Sequence, residues 1–436
     1  MLGELLKRKR MFVFLAVIAL LVSCSNSGYD TPSTTATPTV ISEDTVNGDV
    51  AAGAVNGAGY DRVVILDVTS YATYSAGHIP GAIFVNSADV TSPTRSEGVI
   101  YAVNMVMDGP TMDALIQRTG IDKNTTIIFT GPGTKINDYM SVGRVYFNFR
   151  YWGFPKERLK VLNGLNGAYK AKYGLDTTVP AIAASTYSVR NNPSFRDDLR
   201  VSLQEMIQYA DTQPSNIVVI DGRGSDGPGG VTYSYDGDAK ATNGVFSSPT
   251  ASYFVAFEGH IKGAKAILYT NLYEGLDSSG TVTTGTAAYY RFKSEADMVP
   301  IWTATGLDST KTAYVHCRTG MISSAMYVAL DAYLGWPVAN YDGSWSQWGH
   351  LAGKVNGGFL DNNSPWRTDT TARTESLYLN KNAVDNVTTF IEDPAKGGTV
   401  NSFDYSADKI EEADKAYFGA GGSTGSGGGG TPHVGC

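Results

Sequence analysis

Short runs of Val and Ile alternate with longer stretches of helical periodicity along most of the chain. The runs VVILDV (63–68) and IVVIDG (217–222) are almost continuously apolar and end in residues that form turns. Strands of this kind are typical of parallel sheets that are covered on both faces. The segments MSVGRVYFNFRYWGF (140–154) and SSAMYVALDAYLGW (323–336) repeat their apolar residues at helical spacing. The pattern therefore predicts an α/β fold in which mostly parallel sheets are flanked by helices.

The same pattern occurs twice. VVILDV is followed by SAGHIPGAIFV (75–85), and IVVIDG is followed by FEGHIKGAKAI (257–267). Three pairs of landmarks are separated by 182, 187 and 179 residues, in the order His78 and His260, Thr130 and Cys317, Gly164 and Gly343. Nearly equal offsets of this size indicate a duplicated domain, because solenoid repeats recur about every 20 to 50 residues. We predict two tandem domains, at residues 49–178 and 195–352.

The second copy carries an insertion between its first strand and its Gly-His motif. Asp67 precedes Gly77 by ten residues, whereas Asp221 precedes Gly259 by thirty-eight. The inserted residues are rich in Gly, Ser, Thr and Tyr, and both a lid over a pocket and a solvated surface loop remain open. The insertion shows no calcium-loop pattern, and the sequence predicts neither a metal site nor a cofactor.

The beginning of the chain combines a basic stretch, an apolar stretch and the sequence Leu-Val-Ser-Cys. That order is typical of an export signal at residues 1–23, with an uncleaved N-terminal helix as the alternative. The ending resembles the lipobox of bacterial lipoproteins, which implies that Cys24 is lipidated and becomes the new N-terminus. We therefore expect a Ser/Thr/Pro-rich spacer at 24–48 and a body anchored by lipid to a bacterial membrane. It would face the periplasm or the cell surface, on the outer membrane in a Gram-negative cell.

The end of the chain has weaker signals. Residues 353–418 form a C-terminal extension in which ADKIEEADKAYF (407–418) predicts a helix. Residues 419–436 are a Gly-rich flexible tail ending in Cys436. Such a tail has a root-mean-square reach on the order of 20 Å. Cys436 is therefore a candidate relay thiol for Cys317, and an untethered tail with an incidental cysteine is the alternative.

Charge and cysteine content narrow the classes of function. The formal net charge is −8, and it becomes −11 when residues 1–23, with four basic groups and one Glu, are removed. An acidic protein of this kind is not expected to bind nucleic acid. With Cys24 lipidated, two of the three cysteines remain, so a dense disulfide framework is excluded.

Cys317 is the candidate nucleophile. The segment YVHCRTGMISSA (314–325) places it between a predicted strand and a predicted helix. Unpaired N–H groups at a helix N-terminus and the positive charge of Arg318 favour a thiolate, and Gly320 lets the loop close around it. The same N–H groups suit an oxyanion substrate. The alternative is a buried core cysteine.

The motifs AGHIPGA, EGHIKGA, HCRTGM and YDGSWSQW together resemble the tandem-domain rhodaneses, which are thiosulfate and mercaptopyruvate sulfurtransferases. The resemblance covers about residues 55–352. It implies that Cys317 accepts a sulfane sulfur from thiosulfate or a related donor and passes it as a persulfide to a thiol or cyanide. A protein acceptor of the sulfur is also open. Thr130 falls where the first copy would need its cysteine, so that domain is expected to be catalytically inactive.

The resemblance also implies which residues bind the substrate. An arginine follows the cysteine in thiosulfate-type loops, and a family arginine that helps to bind an anion matches the sequence DGR. The implied substrate-binding residues are Arg318, Thr319, Gly320, Met321, Ile322 and Arg223. Thr319 stands where thiosulfate-type loops usually have Lys, and Ile322 replaces the usual Thr or Arg. These departures leave the choice between thiosulfate and mercaptopyruvate open.

Two other functions share the Cys317 motif. A protein tyrosine phosphatase needs an Arg six residues after its cysteine to grip phosphate, and Ser323 stands there. A lipoprotein that binds or delivers sulfur, selenium or tellurium species without turnover would use the same residues.

His78 and His260 occupy the same place in the two copies and are expected to be structural. Trp345 and Trp348 are expected to pack beneath the pocket, and Asp221 to orient Arg223 or brace the loop.

Overall fold

The computed structural model of the chain describes most of both predicted domains and a C-terminal helix. The described residues are 39–59, 62–90, 95–97, 100–102, 104–224, 260–345, 347–348 and 408–420. The predicted signal peptide, Cys24, the insertion from residue 225 onward and Cys436 lie outside them. Among the described residues, no helix is long and apolar enough to cross a membrane.

The first copy is built on a five-stranded parallel sheet with the order β1-β7-β6-β2-β3. Strand β2, which lies between β6 and β3, is buried along its whole length because helices cover both faces of the sheet. A small antiparallel hairpin, β4-β5, is inserted after β3. The elements are β1 (Val40–Ile41), α1 (Glu43–Ala51), β2 (Val63–Thr69), α2 (Tyr71–Ala76), β3 (Ile83–Asn86), β4 (Arg95–Glu97), β5 (Ile100–Ala102), α3 (Gly109–Arg118), β6 (Thr126–Thr130), α4 (Asp138–Tyr151), β7 (Leu159–Leu162) and α5 (Leu165–Tyr173).

The second copy repeats this design with a four-stranded parallel sheet of order β13-β12-β8-β9. An antiparallel hairpin, β10-β11, follows β9 in the sequence. Helix α8 continues directly into a π-helical segment, Val328–Leu334, which ends at Gly335 in a left-handed conformation. The elements are α6 (Leu203–Thr212), β8 (Ile217–Asp221), β9 (Lys265–Ala266), β10 (Tyr273–Leu276), β11 (Tyr289–Phe292), α7 (Glu295–Thr303), β12 (Thr312–His316), α8 (Met321–Tyr327) and β13 (Val338–Asn340). The predicted α/β class with parallel sheets is confirmed.

The two copies pack through the helices that follow their central strands, α4 and α8. A β-carbon on Gly143 of α4 would lie 2.5 Å from the carbonyl oxygen of Ser324 in α8, so glycine is what allows this approach. Farther along, the Tyr146 hydroxyl donates to Asp331 at 2.5 Å, and Arg150 binds the same carboxylate at 3.0 Å. Buried apolar residues of both copies form one continuous core.

Two segments outside the expected domain bounds are part of the fold. The expectation that residues 40–48 belong to the spacer is corrected by the structure. Val40 and Ile41 pair with β7, and helix α1 follows them. These apolar residues extend an open sheet edge, which a Ser/Thr-rich composition around them conceals. The helix predicted at 407–418 is confirmed as α9 (Lys409–Gly419), and it packs on the first copy, where Asp414 binds Arg95 at 2.7 Å.

Candidate active site

Cys317 begins the loop that joins β12 to α8, at the carboxyl end of the second sheet. It carries a free thiol and is 1% exposed. Gly320, the last loop residue, has φ 77° and ψ −2°, a left-handed conformation that favours glycine. A β-carbon there would overlap Nη2 of Arg144 and would lie 2.6 Å from the carbonyl oxygen of Asp342. The loop is therefore enclosed on the Gly320 side by both copies of the domain.

The motif YDGSW holds the backbone of the cysteine. The Cys317 N–H donates to Ser344 Oγ at 3.2 Å, and its carbonyl oxygen accepts from the Trp345 N–H at 3.0 Å. Ser344 has φ 52°, and its hydroxyl donates in turn to the carbonyl oxygen of Tyr341 at 2.9 Å. Trp345 and Trp348 are fully buried, in agreement with their expected packing role.

The predicted substrate-binding residues of the loop are brought together around Cys317. Arg318 is half-buried and Thr319 is 9% exposed, whereas Met321 and Ile322 form the first turn of α8 and are half-buried. A β-carbon on Gly222 would lie 2.9 Å from the Ile322 side chain, which shows how closely α8 approaches the strand end that carries Arg223.

Arg223 is held by Asp221, which is one of the two roles expected for that carboxylate. Its Nη2 binds Asp221 Oδ2 at 2.5 Å and its Nε binds Oδ1 at 3.0 Å, while the guanidinium lies 4.9 Å from the ring centre of Trp345. Burial alone would raise the pKa of Asp221, but Arg223 and His316 hold it below its usual value. The charge of Arg223 is therefore largely balanced by this carboxylate. Burial lowers the pKa of His316 to about 4, so its imidazole is neutral at pH 7.

Ser323 occupies the position at which a phosphatase would carry its arginine. Its hydroxyl is fully buried and lies 3.0 Å from the Gly320 carbonyl oxygen and 2.7 Å from Asn340 Oδ1. A side chain engaged in this way stabilises the loop and offers no positive charge to a phosphate group. The phosphatase alternative therefore lacks its clamp.

Sequence reasoning missed a buried charge network beside the loop. Arg200 is fully buried and binds both carboxylate oxygens of Glu97 at 2.9 and 3.0 Å, Asp342 at 2.9 Å and Glu411 at 3.4 Å. Asp342 also accepts from the N–H of Val106 at 2.7 Å. The network joins the β4 strand, the YDGSW motif and α9, and no local pattern in the sequence connects those three segments.

Arg144 and Tyr269 were also missed. Arg144 lies on α4 of the first copy, is fully buried, and interacts electrostatically with Cys317. The signal that could have found it was a charged residue within a helix whose neighbouring residues are mostly apolar and buried. The Tyr269 hydroxyl donates to Asn137, and burial together with the charge of Cys317 raises the pKa of Tyr269 to about 12. The position of Arg144 against Gly320 and the hydrogen bond from Tyr269 to Asn137 bring the first copy to the site in the second.

The first copy has no nucleophile at the matching position, but the residue there is not the expected one. Asp67 lies opposite Thr130 in the sheet, and Asp221 lies opposite His316. The register therefore makes Gly131, one residue after Thr130, the counterpart of Cys317. In agreement, the Gly131 carbonyl oxygen accepts from the N–H of Asn166 at 2.8 Å, as that of Cys317 does from Trp345.

His78 has the structural surroundings that were expected for it. Its Nδ1 lies 2.9 Å from the Tyr74 carbonyl oxygen, its Nε2 lies 3.1 Å from that of Thr178, and its ring stacks on Tyr74. Within the described part of the chain, no group of three or more His, Cys, Asp or Glu side chains could hold a metal ion.

Comparison with known proteins gives consistent matches over both copies. The profile of the rhodanese-like domain matches residues 52–164 and 202–351. A provisionally named thiosulfate sulfurtransferase of Haloferax volcanii is 24% identical over 298 residues, covering 67% of this chain and 87% of the relative. The sulfur carrier protein TtuD of Thermus thermophilus is 27% identical over 284 residues, covering 64% and 85%.

Solved structures share the fold. An anaerobic ergothioneine biosynthesis enzyme from Chlorobium limicola, determined with trimethyl histidine, superposes with a TM-score of 0.51 at 18% identity over 74% of this chain and 71% of its own. A persulfide form of EanB with ergothioneine gives a TM-score of 0.54 at 17% identity over 74% and 71%.

Proposed function

The chain belongs to the rhodanese family, with two copies of the domain, and from this premise we propose that it is a sulfurtransferase whose acceptor of sulfur is Cys317. The observation that carries the proposal is the position of a free cysteine at the start of the β12–α8 loop. The homologues named as sulfurtransferases support the same class of reaction.

The reaction with thiosulfate balances in charge and electrons. The Cys317 thiolate attacks the outer sulfur of the donor, a new S–S bond forms, and the S–S bond of thiosulfate breaks with its electron pair leaving on sulfite. The cysteine is then a persulfide anion. Cyanide or a thiolate attacks the outer sulfur of that persulfide, which returns the thiolate and releases thiocyanate or a new persulfide.

The arginine that directly follows the nucleophile, Arg318, favours a donor that is an oxyanion. Arg223 stands at the neighbouring strand end, but Asp221 already balances most of its charge. Thiosulfate is the donor we propose on this basis. The first domain, with Gly131 where the second has Cys317, has no thiol there to carry sulfur and serves the second domain.

A carrier role is the second candidate. The thiol of Cys317 lies in a residue that is 1% exposed, which suits sulfur that is protected from solvent until a protein partner arrives. A relative of this chain is named a sulfur carrier protein. The two roles differ in whether small thiols discharge the persulfide at a catalytic rate.

Intact-mass measurement tests both roles. The full chain is treated with thiosulfate, then with cyanide or glutathione, alongside Cys317→Ser. Gain and loss of one sulfur by the wild type alone supports sulfur transfer. A stable adduct that neither small acceptor removes supports the carrier role, and the absence of any adduct with thiosulfate or mercaptopyruvate contradicts both.

We also propose that the mature protein is lipid-anchored through Cys24 on the outer side of a bacterial membrane. The basic, apolar and Leu-Val-Ser-Cys order of the first residues supports this. Membrane fractionation of cells that produce the wild type or Cys24→Ala is the test. Equal release of both into the soluble fraction would refute anchoring.

A further inference from the structure

Arg144 is a fully buried arginine without a hydrogen-bond partner. None of its Nε, Nη1 and Nη2 atoms has a partner among the described residues, although each is shielded from solvent. Its guanidinium carbon lies 5.8 Å from the ring centre of Phe147, too far to satisfy the N–H groups. A guanidinium has five donors, and leaving them unmet in a buried place is strongly unfavourable. The side chain is therefore suited to a partner that the protein itself does not supply.

The guanidinium lies against the Cys317 loop. Its Nη2 is the atom that a β-carbon on Gly320 would overlap. Burial lowers the pKa of Arg144, and the negative charges of Asp342 and Cys317 oppose that effect. The guanidinium therefore lies beside the loop that carries the nucleophile, although Arg144 belongs to the other copy of the domain.

Asp342 and Arg223, two other charged residues near the loop, are balanced by close partners. Asp342 binds Arg200 at 2.9 Å and the N–H of Val106 at 2.7 Å. Arg223 is bidentate with Asp221. Arg144 has no carboxylate within ion-pair distance in the described residues, so it brings a net positive charge to a loop that has an uncharged Thr319.

The packing of the two domains places Arg144 there. Gly143 lets α4 approach the backbone of α8 at Ser324, and the next residue along α4 then faces the turn that starts α8. On the same helix, Arg150 meets Asp331 of the second domain. One helix of the first domain thus carries one arginine with a counter-ion and one without.

We propose that Arg144 is an anion-binding residue of the Cys317 site, supplied by the domain that has no nucleophile. It takes an oxygen of a small sulfur oxyanion, either the donor thiosulfate or the sulfite that leaves. This rests on the proposed sulfur transfer and extends it, because it makes the first domain part of the substrate site. A thiolate and a dianion must meet there, and an added cation reduces their repulsion.

The test compares Arg144→Gln and Arg144→Lys with Arg118→Gln in the full chain. Arg118 is the matched control because its side chain is 44% exposed. Alkylation of Cys317 by iodoacetate, an anion, and by iodoacetamide, which is neutral, is followed by mass spectrometry of the Cys317 peptide. Their rate ratio reports the local positive charge whether or not sulfur transfer occurs. Persulfide formation at increasing thiosulfate concentration is measured in parallel.

In Arg144→Gln we expect the iodoacetate to iodoacetamide ratio to fall about fivefold or more. The thiosulfate concentration at half-maximal rate should rise by about 10- to 100-fold, the range for one hydrogen bond to a charged group. Arg144→Lys should keep most of the ratio, and Arg118→Gln should keep all of it. Resistance to urea should be unchanged or increased in Arg144→Gln, because an unpaired buried charge is removed.

A purely structural arginine would give the opposite result: lower resistance to urea, with an unchanged ratio and an unchanged thiosulfate dependence. That outcome overturns the proposal. Should Arg144→Gln fail to fold, Arg144→Met fills the same space with an apolar side chain and is read in the same way. If the wild type gains no sulfur from thiosulfate, the proposed function fails, and the alkylation ratio still decides the role of Arg144.

Discussion

Replacing Gly320 by alanine should damage both the stability and the chemistry of the loop. Gly320 has φ 77°, a conformation that is unfavourable for an L-residue by roughly 1–2 kcal/mol. The added methyl group would also overlap Arg144 and lie 2.6 Å from the carbonyl oxygen and 3.0 Å from the Cα of Asp342. Those are backbone atoms of an anchored motif, and overpacking of this kind typically destabilises by about 1–3 kcal/mol.

Gly335 provides a matched control for the backbone part of this effect. It has φ 68°, and a β-carbon there would meet nothing within 4 Å. Gly335→Ala should therefore lower the free energy of unfolding by only about 1–2 kcal/mol. Gly320→Ala should lower it by about 2–5 kcal/mol, the sum of the two effects.

Urea unfolding of both variants measures the stability difference, and the rate of persulfide formation at Cys317 measures the chemistry. We expect the rate to fall in Gly320→Ala, because the loop must shift away from Asp342, and to stay near wild type in Gly335→Ala. Equal loss of stability in the two variants, with equal rates, would show that the loop is not confined between the two domains in the way described.

Two further predictions concern buried carboxylates. Burial raises the pKa of Asp67 to about 6, so the folded state binds more protons than the unfolded state between about pH 4 and 6, and stability is lost as pH rises through that range. Asp67→Asn can keep the 2.8 Å hydrogen bond from Asn166. Urea unfolding should show it to be more stable than wild type at pH 7.5 by up to about 3 kcal/mol, and similar to wild type near pH 3.5. No gain in stability at pH 7.5 would contradict this. Glu97→Gln weakens a fully buried ion pair with Arg200 and should lower the free energy of unfolding, measured in urea, by about 3 kcal/mol. Asp198→Asn removes one charge of an exposed ion pair and should change that free energy by less than about 1 kcal/mol. Similar losses in the two variants would count against the buried network.

Much of the fold was predictable because its signals are local. The continuous apolar runs of β2 and β8 and the helical periodicity of α4 and α8 follow from residues near one another in the chain. The duplication was visible because both copies retain the same order of motifs. The candidate nucleophile was predictable for the same reason, since the strand, Cys317, the glycine and the helix are consecutive.

The sequence was insufficient where strand register decides which residues of the two copies correspond. The spacing of the sequence motifs matches Thr130 with Cys317. The strand pairing of Asp67 with Thr130 and of Asp221 with His316 instead matches Gly131 with Cys317. Register depends on hydrogen bonds between distant strands, and a shift of one residue leaves the apolar composition of a run almost unchanged. The edge strand β1 was missed for a related reason, since two residues carry no periodicity.

The sequence by itself determined the class of fold, the duplication and the thiol on which the chemistry depends, because each is written in contiguous residues. Only the tertiary structure decided what surrounds that thiol. Arg144 reaches the loop through the contact of Gly143 with Ser324, and Arg200 joins three segments that are far apart in the chain. Such contacts result from packing one domain against the other, and residues that meet in this way need share no local pattern.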